Sequence, residues 1–113
     1  MGYKLYTVEE LLEGNFANEL VKVKGIARGI VSKKEKICCY LEDNKNFLPV
    51  YGRTGIEIQN AIFKPILSLL KTSSESGLKI LIKGIYTSMG YEGHPGTLII
   101  HQVKLKNVSA RTD

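Results

Sequence analysis

Cysteine is nearly absent: Cys38 and Cys39 are the only two, and they are adjacent. Neighbours on a strand point to opposite faces, so a disulfide between them would be strained. Both read as reduced thiols, the state expected of a cytoplasmic, intracellular protein. Soft metal ligands are equally scarce, since His94 and His101 are the only histidines. The spacing of these four residues fits no zinc pattern, so no metal or other cofactor is expected. Long apolar runs are missing too. The stretch from Leu78 to Ile82 is short and broken by Lys79, far from the ~20 apolar residues of a membrane span. No apolar segment follows Lys4, so no secretory signal is expected, and a soluble chain with no membrane partner follows. Catalytic signatures are absent as well: there is no G-x-S-x-G, no phosphate-loop lysine motif and no dinucleotide fingerprint. Glu42 and Asp43 are adjacent at a strand end and face apart, which suits a turn better than paired acid–base work. The expectation is a protein that is not an enzyme.

What is present is enough for one domain and too little for two, at 113 residues. Hydrophobic residues make up 43% and charged residues 24%, so a core can form and disorder is not expected. The net charge is +5. That balance favours polyanionic partners, although many basic proteins bind nothing anionic.

Thr7-Val8-Glu9-Glu10 has the form of a capping box, and Gly14 is a natural stop, which predicts a helical lead-in over 7–14. From Glu19 the period shortens to two. A long first strand runs to Val31 with Gly25 and Gly29 inside it, where a bulge or bend is expected. Ser32 to Lys36 is a basic turn, Ile37 to Asp43 a second strand, Asn44-Lys45-Asn46 a hairpin, and Phe47 to Arg53 a third strand containing Pro49. Ile58, Ile62, Ile66 and Leu70 then recur every four residues, predicting an amphipathic helix within 56–72. Pro65 should either kink it or stand in the first turn of a shorter helix beginning near Lys64. Thr72 to Gly77 reads as a linker loop. Leu78 to Ser88 is a fourth strand, Met89 to Gly96 a glycine-rich loop, Thr97 to Lys106 a fifth strand and 107–113 a polar tail. Val23-Lys24-Gly25-Ile26 is echoed by Ile82-Lys83-Gly84-Ile85.

Five strands of this length leave costly open edges unless the sheet closes. A five-stranded Greek-key barrel over about 19–106, with a helix between strands three and four, is the solution that fits the order. Val21-Lys22-Val23-Lys24-Gly25-Ile26, Tyr40-Leu41-Glu42-Asp43, Leu48-Pro49-Val50-Tyr51 and Ile80-Leu81-Ile82-Lys83-Gly84-Ile85 resemble the pattern of OB-fold domains. They are similar in particular to tRNA-anticodon-binding-like and replication-protein-A-type single-strand binders. The resemblance implies an OB barrel and a partner of single-stranded DNA or RNA. It rests on apolar residues, glycines and an acidic turn, and so speaks more to fold than to function.

Strand alternation sets Cys39, Leu41, Leu48 and Val50 toward the interior and Tyr40, Phe47 and Tyr51 on the outer face of the second and third strands. In the expected barrel that is the surface on which OB domains bind oligonucleotides, and bases stack on rings with little regard to sequence. The same rings could cover the helix or meet a protein partner. Lys33, Lys34 and Lys36 cluster in the first hairpin, with Arg28 and Arg53 expected near that face to hold phosphates. Lysines in a hairpin can equally be a solvated turn. Tyr91 and His94, in the loop flanking the same groove, complete the candidate set.

Overall fold

The structure is a computed structural model, and it describes residues 2–89 and 96–105. Among the described residues the chain is mostly β, with six strands in one mixed sheet and two helices. The strands are β1 (Lys4–Tyr6), β2 (Glu19–Lys33), β3 (Lys36–Asp43), β4 (Asn46–Arg53), β5 (Ile80–Thr87) and β6 (Thr97–Leu105). Helix α1 (Val8–Glu13) precedes β2, and α2 (Asn60–Ser76) lies between β4 and β5.

The long β2 explains the closure. Its residues from Glu19 to Gly25 pair antiparallel with β5, and those from Ile26 onward pair with β3. One strand therefore serves two halves of the sheet. β3 continues to β4, β4 pairs parallel with β6 through Val50 and Tyr51, and β6 returns to β5. The strands thus form a closed ring, which leaves fewer open backbone edges than a flat sheet. The bend in β2 is visible as a register break between Arg28 and Val31. Gly29 sits there at φ 60, a left-handed conformation that glycine adopts without steric cost.

β1 departs from the expected five strands. It pairs parallel with Val21 to Val23 of β2, on the side that β3 leaves uncovered. Three residues are too few to show a period, and a parallel partner some seventeen residues away leaves no local mark in the sequence.

The inward positions match the alternation. Val21, Val23, Ala27, Ile37, Leu41, Leu48, Ile80, Ile82, Leu98 and Ile100 are fully buried. Each large aliphatic among them contributes about 1.5–3 kcal/mol through removal from water. Helix α1 caps one part of this core with Val8 and Leu11, whereas Leu12 is exposed. The Thr7–Glu10 capping box is formed in full, with the Glu10 amide donating to Thr7 Oγ1 at 3.0 Å and the Thr7 amide donating to Glu10 Oε1 at 2.9 Å.

Helix α2 differs from the sequence reading at both ends. Residues 56–59 are not helical. The Ile56, Glu57 and Ile58 amides all turn back on the Arg53 carbonyl, and Ile58 is buried as a plug in the core. The helix begins at Asn60, so Pro65 stands inside it, and a start near Lys64 is overturned. Pro65 and Ala61 are both exposed, so the turn that lacks a Pro65 amide lies on the outer side of the helix.

At the other end the expected linker from Thr72 is helical as far as Ser76. Two of its hydroxyls bond to backbone groups instead of breaking the helix. Ser76 Oγ donates to the Thr72 carbonyl at 2.6 Å. Ser73 is fully buried; its Oγ accepts from the Ala27 amide at 3.0 Å and donates to the Leu78 carbonyl at 2.6 Å. One side chain thus joins the helix, the bend of β2 and the entry to β5. Ser73→Ala would leave that amide and that carbonyl unpaired, for an expected loss of about 2–3 kcal/mol. Urea unfolding measures it, and a loss below about 0.5 kcal/mol would show that the bridge carries no weight.

Candidate nucleic-acid interface

The outer face of β2, β3 and β4 is assembled in rows by register. Arg28 lies beside Tyr40, and Tyr40 beside Pro49. The next row sets Ile26 beside Glu42 and Glu42 beside Phe47. Tyr40 and Phe47 are 49% and 50% exposed, so both side chains can be reached by a ligand from solvent. The turn that places Phe47 is tight: Asn44 and Lys45 have φ of 53 and 68, the double positive φ of a two-residue hairpin that matches strand twist.

Tyr51 must be corrected. Its outward phase, opposite to Leu48 and Val50, is as expected, but it is only 4% exposed. β4 is an interior strand of the ring here, with Cys38 in register on one side and Ile99 on the other. The Arg53 guanidinium lies 5.9 Å from the centre of its ring. An outward residue hemmed by neighbours on both flanking strands offers no open ring face, so Tyr51 is a packing residue and not a platform.

The basic residues divide into two groups. Lys33, Lys34 and Lys36 are exposed around the β2–β3 hairpin. With Glu35, Arg53, Thr54 and Ile56 they line an open groove of about 760 Å³. The two arginines are engaged by carboxylates. Arg28 Nε donates to Glu42 Oε1 at 2.7 Å, with the Arg28 side chain 43% exposed. Arg53 Nη2 donates to Glu57 Oε2 at 3.2 Å, and the Arg53 backbone amide donates to Glu57 Oε1 at 2.9 Å. A phosphate would have to compete with Glu42 at Arg28 and with Glu57 at Arg53. An exposed ion pair is worth about 0–1 kcal/mol, so competition at Arg28 is easy. At Arg53 the carboxylate is nearly buried, at 9%, and the guanidinium mainly fixes its own turn. Sequence reasoning missed Glu42 and Glu57 as partners. The i,i+4 spacing of Arg53 and Glu57 carried a signal; Arg28–Glu42 needed the strand register.

Tyr91 and His94 lie outside the described residues. Burial pushes the Cys39 thiol up to about 12, so Cys39 is no thiolate at neutral pH. His101 is lowered by burial and its Nδ1 meets the Tyr3 hydroxyl at 2.9 Å, a local tie between the chain before β1 and β6. Among the described residues no three His, Cys, Asp or Glu side chains come together as a metal site, and no helix is long and apolar enough to cross a membrane.

No family model and no curated protein matches the sequence. Solved structures do resemble it. OBody AM1L10 bound to hen egg-white lysozyme is 17% identical, with a TM-score of 0.69 over 96% of this chain and 98% of that one. A putative aspartyl-tRNA synthetase from Leishmania major Friedlin is 9% identical, with a TM-score of 0.67 over 97% of this chain. The aspartyl-tRNA synthetase from Entamoeba histolytica is 14% identical, with a TM-score of 0.69 over 91% of this chain. This chain spans only 22% and 21% of those two synthetases. At such identities the likeness is one of fold, and the fold is OB-like.

Proposed function

We propose that this protein is a non-enzymatic module that binds single-stranded nucleic acid on the outer face of β3 and β4, with the ring acting as a five-stranded Greek-key OB barrel and β1 as an appended strand. The observation that carries the reading is the pair of half-exposed rings, Tyr40 and Phe47, on one face of adjacent strands. The exposed lysine hairpin at one end of that face supplies mobile cations for phosphates. The likeness to aspartyl-tRNA synthetases, proteins named for an RNA substrate, supports the same reading. Two rings and three lysines suit sequence-tolerant stacking rather than base-edge readout.

Titration of labelled poly-pyrimidine DNA and RNA at two salt concentrations tests it. Tyr40→Ala and Phe47→Ala should each weaken binding by about tenfold to a hundredfold, since one stacked base is worth about 1–3 kcal/mol. Neutralising Lys33, Lys34 and Lys36 together should flatten the log–log salt slope by roughly 0.7 for each phosphate that those lysines had neutralised. An unchanged slope would reduce the hairpin to a solvated turn. A second reading, that the same face meets a protein, draws on the OBody structures, in which this fold holds lysozyme. It is favoured if the ring variants leave oligonucleotide affinity unchanged.

A further inference from the structure

The groove at the lysine hairpin holds a feature that nucleic-acid binding does not require. Ile56 is 65% exposed, in a turn built to hold it outward. The Arg53 carbonyl accepts from the amides of Ile56, Glu57 and Ile58 at 3.3, 3.1 and 2.9 Å, and the Gly55 amide donates to the Ile58 carbonyl at 2.7 Å. The Arg53–Glu57 ion pair closes the same turn from the side chains. Ile58 anchors it in the core, fully buried. The Thr54 amide donates to the Glu35 carbonyl at 2.8 Å, which locks the turn to the lysine hairpin. The result is an aliphatic side chain on a braced mount, facing a groove rimmed by Lys33, Lys34 and Lys36.

Ordinary exposed aliphatics need no explanation. This one differs because its backbone is preorganised, so covering it with a ligand costs little ordering entropy. Lysine stems can cover apolar surface while keeping their ammonium groups in water, and with Arg53 the three lysines outnumber Glu35 in the lining. Phosphate groups answer the lysines but bring no apolar group of their own to Ile56, whereas one short acidic peptide carries both carboxylates and an apolar side chain. We propose that this groove is a docking site for an acidic peptide segment, which seats an apolar side chain against Ile56 and sets Asp or Glu side chains on the three lysines. It is distinct from the stacking face, and shares only the lysines with it. The two ligands therefore compete for the hairpin charge, and peptide binding lowers single-strand affinity without touching Tyr40 or Phe47.

The probe is a fluorescent Asp/Glu-rich peptide with a central Leu–Leu pair, together with the same peptide carrying Ser–Ser, measured by anisotropy on the full chain. The Leu–Leu peptide should bind about tenfold more tightly than the Ser–Ser peptide. Ile56→Ser should remove that difference, and Ile56→Leu should restore it; burying leucine side chains is enough to supply that factor. Since Ile56 is exposed, both variants should melt like the parent. Tyr40→Ala should leave peptide binding unchanged, so weaker oligonucleotide binding in that variant and weaker peptide binding in Ile56→Ser are separate results. Peptide binding with no oligonucleotide binding by the parent would overturn the stacking function and leave this site standing. Equal affinity for the two peptides would overturn the proposal, because charge alone would then explain the attraction. A fall in oligonucleotide affinity on Ile56→Ser as large as the fall in peptide affinity would also overturn it, by returning the turn to the nucleic-acid face.

Discussion

Gly84→Ala is expected to unfold the protein or to cost about 3 kcal/mol or more of stability, since forced overpacking against backbone lies at the severe end of single-residue effects. Gly84 points inward on β5, where the β5–β6 register shifts between Lys83 and Gly84. A β-carbon there would run into the carbonyl oxygen of Ile99. A side chain can rotate away from such a contact, but a strand backbone can move only by giving up its pairing. Gly25 stands in a related position where β2 passes from β5 to β3, and a β-carbon would lie 2.6 Å from the Glu42 carbonyl oxygen and 2.8 Å from Leu41 Cγ. Gly25→Ala should therefore also destabilise, by less than Gly84→Ala, and valine at either site by more than alanine. The cause is close approach and not backbone conformation, because neither glycine has a positive φ. Urea unfolding of Gly84→Ala beside Lys83→Ala gives the comparison. The outward Lys83 variant should stay within about 0.5 kcal/mol of the parent. If Gly84→Ala did the same, the strands would not approach as described.

Tyr51→Ala should cost about 3–4 kcal/mol, the usual penalty for emptying a buried aromatic site. The ring is 4% exposed between Cys38 and Ile99, with the Arg53 guanidinium against it. Tyr40→Ala, on the same outer face, should cost under about 1 kcal/mol because half its ring is already in water. The two variants thus separate stability from binding. Tyr51→Ala should melt early, and Tyr51→Phe should recover most of the stability by keeping the ring. Tyr40→Ala should melt near the parent and bind single strands poorly. A normal melt with weakened affinity for Tyr51→Ala would reinstate Tyr51 as a stacking platform.

The pattern of residues alone determined much of this protein. Period two over 19–31, 37–43 and 47–53, period four through Ile58, Ile62, Ile66 and Leu70, and the Thr7–Glu10 box placed most elements, because hydrophobic spacing and caps are local signals. The same alternation put Leu41, Leu48 and Val50 inside and Tyr40 and Phe47 outside, where they are found. Sequence marks Gly25 as a bend and Gly84 as its echo; it shows that a side chain is missing, and only strand packing shows what would have met it. Tertiary structure alone decided the rest. Alternation says which way Tyr51 points, but whether an outward side chain is open depends on the strands on either side of it. Thr72 to Ser76 reads as a loop by propensity and folds as helix because the Ser73 hydroxyl finds the Ala27 amide across the core. Arg28 and Glu42 carry no sequence mark of pairing, since their contact comes from antiparallel register between β2 and β3. Ile56 looked like the first turn of a helix; it is an exposed residue on a braced turn because three amides share the Arg53 carbonyl and Ile58, two residues on, is buried in the core. Local chemistry chose the elements, and long-range contact chose which of their side chains stayed free to act.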